Sequence, residues 1–484
     1  MHVRRDRWTR WTKWTCACAF IALAASVPAA PREPTLPTAL DQLVHGDVDD
    51  FAWSTHGSRR EGACTVHWIR MTSGTWRSEA EVSPHVWHHW IRVLVPDVVE
   101  SDVALLLVSG GIDSPVPPRR DQPPDIVPAS RLPRGTAELL GSIVVEVFSV
   151  PAQPTTFLVD GDGATPVVED WLVARSWALF LDTGEPDWIA QLPMTRATVR
   201  AMDAVQAALL DEEGKPLARA FVLTGGCKRG WAAWLAAAVD DRVVGVAPIA
   251  ADLTGVRENL LHQRRIHGAW PVDFGPFEEC GVPDRMHEPR FQELLDIADP
   301  ASLGARLDIP KLFVSAAGDG YFAPDSTRFY LHRLAGRSHA RLVANDAHTL
   351  QQSDALITVG QFHRAVALGK ALPEMDWSIA REEGVIRATA GTEPLRALLV
   401  TARNEHARDF RFATTGRAWD SIPVAIGEGP PWEFSVPIAA PRKGWAAAFL
   451  EVHFADPCGG PLPMILTTEA LVVPDALFPG DEAR

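Results

Sequence analysis

One cysteine, one aspartate and one histidine follow each other along this chain in an order that acyl-transfer chemistry can use. Cys227 lies in Thr224-Gly225-Gly226-Cys227-Lys228-Arg229-Gly230-Trp231, after the apolar run Phe221–Leu223 and before the apolar, helix-like stretch Trp231–Val239. The flanking glycines allow a tight strand-to-helix turn that lifts one side chain to a helix N-terminus, where unpaired N–H groups favour an anion. A thiol placed there, beside Lys228 and within reach of an imidazole, gives up its proton more readily than an ordinary cysteine, and the thiolate is the nucleophile. On such a turn the partners follow in the order nucleophile, acid, base. Asp319 comes directly after the apolar run Lys311–Ala317, and His348 closes Asn345-Asp346-Ala347-His348 after the next such run. Asp325 is the alternative acid, and the carboxylate not used is expected to cap a turn or the helix expected over 325–334. Oxyanion stabilisation would come from backbone N–H groups of Lys228 and of the Gly110-Gly111-Ile112 loop, so from Lys228, Gly111 and Ile112. The Lys228 side chain either adds positive charge to the site or is a solvated first-turn lysine. The sulfur itself leaves two readings open: a working nucleophile, or a silenced one in a pocket shaped for serine.

These residues need a scaffold, and the hydrophobic pattern supplies it. Near-continuous apolar runs at Val103–Val108, Ser142–Phe148, Val243–Ile249, Lys311–Ala317 and Ala340–Asn345 read as strands buried on both faces. Helices are expected between them, from Thr165-Pro166 to about Leu181, with Glu169 and Asp170 in the first turn, and from about Met194 to Leu210. Alternation of strand and helix predicts an α/β fold with a mainly parallel sheet and right-handed crossovers. Thr65–Met71 and Trp90–Val95 alternate in polarity and read as antiparallel strands towards an edge. Residues 252–301 read as an irregular, lid-like insertion over the mouth of the sheet. From about residue 373 the pattern changes to short alternating strands, which predicts a C-terminal β-sandwich over 373–484 after a first domain at 31–372.

Residues 1–30 are set apart: a basic start with Arg4, Arg5, Arg7, Arg10 and Lys13, an apolar stretch to Val27, then Val27-Pro28-Ala29-Ala30. This is the pattern of a secretory signal peptide, and it predicts export to the periplasm or the extracellular space without permanent membrane insertion. The segment holds five basic residues and one acid, so its removal moves the net charge from −15 to −19. Such a surface disfavours nucleic acid and attracts cationic partners. Of six cysteines, Cys64, Cys227, Cys280 and Cys458 lie beyond the segment, too few for a disulfide scaffold; the pairing among Cys64, Cys280 and Cys458 stays open. His85-Val86-Trp87-His88-His89 lacks a carboxylate at fixed spacing, so neither a metal nor another cofactor is expected. The 18 tryptophans are scattered through apolar segments, as core residues are.

The stretch Gly225-Gly226-Cys227-Lys228-Arg229-Gly230-Trp231, with Trp234-Leu235 and Asp240-Asp241-Arg242-Val243, resembles the PhoPQ-activated pathogenicity-related protein family. That family has Gly-Ala-Ser-Lys-Arg-Gly-Trp here, with serine at the position of Cys227. The likeness extends to Met71–Trp76, Glu169-Asp170, Lys311–Asp319, Pro324-Asp325-Ser326, Asn345–His348 and Gly444–Ala447, essentially the whole chain beyond the leader. It implies an exported α/β-hydrolase-like protein with a C-terminal β-domain, tied by name to envelope stress and cationic-peptide resistance. Glucuronoyl-esterase-like enzymes also carry a Gly-x-Ser-Arg-x-Gly turn, which implies a carbohydrate-ester alternative. The expected function is hydrolysis of an ester, thioester or peptide bond by Cys227, Asp319 and His348. The competing expectation is a catalytically silent acidic protein that sequesters cationic antimicrobial peptides.

Overall fold

The computed structural model describes residues 38–46, 50–111 and 135–476, apart from 253 and 352. The expected signal peptide at 1–30 and Ile112 lie outside the described residues.

A nine-stranded sheet organises the chain: β1 Ala52–Glu61, β2 Cys64–Thr75, β3 Val86–Pro96, β4 Val103–Val108, β5 Val144–Val147, β6 Ala220–Gly226, β7 Val243–Ile249, β8 Lys311–Ala316 and β9 Ser338–Val343. Their order across the sheet is β1-β2-β3-β5-β4-β6-β7-β8-β9. The six strands from β5 to β9 pair in parallel, and β1, β2 and β3 add on antiparallel. The apolar runs explain this division. Strands β4, β5 and β8 are buried along nearly their whole length, as a sheet covered on both faces demands. By contrast β2 alternates buried and half-buried positions, and β1 is exposed throughout. Its polar sequence, Ala-Trp-Ser-Thr-His-Gly-Ser-Arg-Arg-Glu, carried no strand signal, because it pairs only on one side and faces solvent.

Several expectations about helices require correction. The first long helix spans Asp170–Thr183 rather than starting at Thr165-Pro166, because Val167 pairs with Thr155 as an isolated bridge and Glu169 is turned to φ 55°. The second spans Gln191–Ala208. The insertion at 252–301 is not irregular: it holds helices Val256–His267, Gly275–Glu279 and Pro289–Ala298, which bury Leu260, Phe277, Phe291 and Leu294 in the main core. Its many His, Trp, Pro and acidic residues hid the amphipathic spacing. The helix expected over 325–334 is two short 3-10 turns, Ser326–Phe329 and Leu331–Arg333. A helix at Ala355–Ala367 had no counterpart in the sequence reading.

Beyond Met375 the chain forms antiparallel sheets: Met375–Ala380, Val385–Ala390 and Trp432–Pro437 make one, and Asp420–Pro423, Pro394–Asn404, Trp445–Phe454, Met464–Thr467 and Leu471–Val473 make the other. Ile386, Ala388 and Phe434 of the first share a buried apolar cluster with Leu450, Val452 and Leu466 of the second, a two-sheet sandwich. The four cysteines Cys64, Cys227, Cys280 and Cys458 are all free thiols, and no helix among the described residues is long and apolar enough to cross a membrane.

Candidate active site

Strand β6 ends at Gly226, and the helix Lys228–Val239 begins two residues later, so Cys227 alone makes the turn, at φ 54° and ψ −126°. For a residue with a side chain this is a strained region, and it aims the thiol away from both strand and helix. Close packing permits it. A Cβ on Gly225 would lie 2.8 Å from the Arg229 carbonyl carbon, and one on Gly230 would lie 2.7 Å from the Gly225 oxygen. Only glycine lets the helix start this near the strand. The Cys227 N–H donates to the Ile249 carbonyl at 2.8 Å, which ties the turn to the end of β7.

The loops after β8 and β9 meet at this turn. His348 bonds through Nδ1 to Oδ2 of Asp319 at 2.8 Å, and its ring is hydrogen-bonded to the Cys227 thiol. Asp319 is fully buried as a side chain, and its other oxygen accepts the N–H groups of Tyr321 at 2.7 Å and Phe322 at 3.3 Å. The ring of Tyr321 packs 4.5 Å from the imidazole, and that of Phe322 5.9 Å from it. The C-terminal region braces both loops: Phe412 N–H donates to the Gly318 carbonyl at 2.8 Å, and the Asn345 amide makes two hydrogen bonds with the backbone of Trp419, at 2.8 and 3.0 Å.

Electrostatics follow from this geometry. Burial alone would raise the Cys227 pKa, but the hydrogen bond from His348 and the charge of Lys228 outweigh it and bring the thiol below its ordinary value. Burial would likewise lower His348, yet the charge and hydrogen bond of Asp319, joined by Cys227, raise it to about 10. The pair therefore favours thiolate and imidazolium together. The other three thiols go the opposite way, chiefly through burial: Cys64 is pushed up to about 11, and Cys280 and Cys458 are also raised.

The alternative acid, Asp325, is not brought to His348. It is completely buried and bound by Arg408 at 2.7 Å, by His262 at 3.1 Å and by Arg328 at 3.3 Å, and it caps no helix through its side chain. Lys228 is not a solvated lysine. Its ammonium is buried and bonded to Glu169 at 2.8 Å and to Asp170 at 3.0 Å, while its N–H opens the helix and has no partner within it. Gly111, at φ 126°, ends the described part of its loop, and its carbonyl accepts from Gln153 at 3.3 Å.

A model of the PhoPQ-activated pathogenicity-related protein family matches residues 40–411. The chain belongs to this family. It is similar to the autocrine proliferation repressor protein A of Dictyostelium discoideum, with 31% identity over 470 residues and 91% of each chain covered. Among solved structures this PhoPQ-related chain is similar to acetyl xylan esterase 1 from Thermoanaerobacterium, at 13% identity over 68% of this chain and 90% of that one, with a TM-score of 0.44. A second is the glucuronoyl esterase from Solibacter usitatus, at 16% identity over 69% and 88%, with a TM-score of 0.40.

Sequence reasoning missed several neighbours of the PhoPQ-related turn. Beside it Glu169 is hydrogen-bonded to both Gln153 and Arg229, and Tyr321 donates through its hydroxyl to Asp170 at 3.0 Å. One signal was present. Two cations in the first turn of a helix are electrostatically disfavoured, so Lys228-Arg229 required carboxylates supplied from elsewhere. His88 and His89 bond to Thr72 at 3.0 Å, and to Ser73 at 2.9 Å and the Phe148 carbonyl at 3.0 Å, respectively, as strand residues of β3.

Proposed function

We propose that this chain is an exported hydrolase that cleaves an ester, thioester or peptide bond through Cys227, His348 and Asp319. The observation that carries the reading is the thiol on a strained strand-to-helix turn, hydrogen-bonded to an imidazole that Asp319 holds by its far nitrogen. The thiolate attacks the substrate carbonyl carbon, and the negative charge that develops on the oxygen is met by N–H groups of Lys228 and of Gly111. The imidazolium gives its proton to the leaving group, the carbon–heteroatom bond breaks, and a thioester on Cys227 remains. His348, now neutral, takes a proton from water as it attacks the thioester carbon; the carbon–sulfur bond breaks, the carboxylic acid leaves, and the thiolate–imidazolium pair is restored. Asp319 holds the ring in the required tautomer throughout.

The electrostatics predict a pH profile. The competent form is thiolate with imidazolium. Activity is expected to rise as Cys227 ionises, below the ordinary thiol range, and to fall as His348 loses its proton near pH 10. In Cys227→Ser the competent form needs neutral imidazole, so the profile becomes a single rise. The test is a screen of parent, Cys227→Ser and Cys227→Ala on p-nitrophenyl acyl esters, acetylated sugars and short peptides. Turnover in the parent or the serine variant, abolished in the alanine variant, is the expected result. If no variant turns over and cationic peptides bind the parent and Cys227→Ala equally, the acidic sequestering protein is the better account.

A further inference from the structure

The carboxylate of Glu169 sits where the turn, the first helix and the glycine loop after β4 come together. Its Oε1 and Oε2 take the two terminal nitrogens of Arg229 at 2.6 and 2.5 Å, a two-pronged ion pair, and Oε2 also takes the Lys228 ammonium at 2.8 Å. These are the two residues immediately after the thiol. Burial would raise the Glu169 pKa, but Arg229 and then Lys228 pull it far below the usual carboxylate range, so it stays ionised. Glu169 is itself bent to φ 55° and ψ −123°, within a few degrees of Cys227. A residue with a side chain persists there only where its surroundings enforce it.

The surroundings are on the glycine-loop side. The Glu169 N–H donates to Oε1 of Gln153 at 2.8 Å, and the Gln153 amide donates back to Glu169 at 2.7 Å and on to the Gly111 carbonyl at 3.3 Å. Arg229 donates to the Val150 carbonyl at 2.7 Å, and its guanidinium covers Gly110 so closely that a Cβ there would fall 2.4 Å from a terminal nitrogen. Ser149 and Val150 in turn donate to Gly110 and Ser109, both at 3.1 Å. One carboxylate thus joins the helix start that carries the Lys228 N–H to the loop that carries Gly111.

We propose that Glu169 is a positioning residue that sets the distance between the two halves of the oxyanion site, with Arg229 and Gln153 as its arms. This rests on the acyl-transfer reading above. In this role it acts through Arg229 and Gln153 rather than on the reacting atoms; the thiolate is stabilised by His348 and Lys228.

Two reactions of Cys227 separate these roles. Acetylation by p-nitrophenyl acetate forms a sulfur–acyl bond and expels p-nitrophenolate through an oxyanion; alkylation by iodoacetamide forms a sulfur–carbon bond and expels iodide with no oxyanion. Single-turnover rates of both are measured on the full chain. For Glu169→Ala, acetylation is expected to fall on the order of 10²-fold, the cost of a misplaced oxyanion donor, while alkylation changes little. Glu169→Gln, which keeps an acceptor for Arg229, is expected to recover part of the loss. Arg229→Lys, which keeps the charge but not the fork, is expected to lose acetylation selectively, and it serves if Glu169→Ala does not fold. Equal losses in both reactions, or no loss in either, would overturn the proposal. A parent that is acetylated once but never turns over contradicts the hydrolase reading alone; a parent that is alkylated but never acetylated contradicts both.

Discussion

Replacing His348 by alanine is expected to lower ester turnover on the order of 10³-fold, within the range for loss of a positioned general acid and base. The loss should be accompanied by a change of profile rather than of rate alone. Burial raises the Cys227 pKa, and the hydrogen bond from His348 is the largest of the contributions that bring it down. Without the ring, the thiol should titrate at or above its ordinary value, leaving Lys228 as the remaining favourable charge. The acid limb of the profile should therefore move to higher pH, and the alkaline limb near pH 10, which belongs to His348, should disappear. Steady-state kinetics between pH 5 and about 11, beside an alkylation profile of the same variant, would measure both changes. Asp319→Asn should act in the same direction, since it would turn an amide N–H donor or a weaker acceptor towards Nδ1 and remove the charge that favours imidazolium.

The second large effect is on stability. Arg408, from the C-terminal region, reaches Asp325 at the far side of the acid loop, and both side chains are almost wholly enclosed. Removing Arg408 takes away the nearest cation and leaves this buried carboxylate with only His262 at 3.1 Å and Arg328 at 3.3 Å, so Arg408→Met should destabilise the fold by about 3 kcal/mol near neutral pH, the low end for a broken buried ion pair. The midpoint of urea unfolding reads this directly. The pH dependence has a definite sign. Burial would raise the Asp325 pKa, but Arg408 and His262 hold it well below the usual carboxylate range. Its contribution is therefore complete above the unfolded value of about 4 and is lost as the pH falls through the folded value. In Arg408→Met the buried carboxyl protonates more readily, so the gap between variant and parent should narrow below about pH 4. The double variant Asp325→Leu with Arg408→Met should recover much of the loss, because no unpaired charge remains.

What the sequence made legible, and what it did not, divides along physical lines. Strands such as Val103–Val108 and Val243–Ile249 could be bounded to the residue, because strands buried on both faces must be apolar throughout. The turn at Cys227 was equally plain, since Gly225 and Gly230 are required wherever a helix starts against a strand. Asp319 and His348 were placed by chain order and by their positions directly after strand ends, and the structure brings both to the thiol. Asp325 was the alternative acid, six residues beyond Asp319 and not directly off the strand end, and the approach of Arg408 from more than eighty residues away ties it elsewhere. That long-range pairing leaves no local mark. Glu169 was misread for a related reason: an acid after Thr165-Pro166 is a good first-turn residue, but Gln153 and Arg229 bend it out of the helix. The helices within 256–298 were hidden because their polar faces carry many histidines and arginines, which diluted the apolar spacing that buries Leu260, Phe291 and Leu294.

The central claim is that Cys227 is a thiolate held ready by His348, and alkylation of the unmodified chain tests it most directly. The four described thiols form an internal comparison, because Cys64, Cys280 and Cys458 all have raised pKa values and Cys227 alone is lowered. Iodoacetamide labelling at pH 6 to 9, followed peptide by peptide by mass spectrometry, should show Cys227 modified far faster than the other three, with a midpoint below the ordinary thiol value of about 8.5. Slow labelling of all four thiols, with Cys227 titrating at or above that value, would contradict the account.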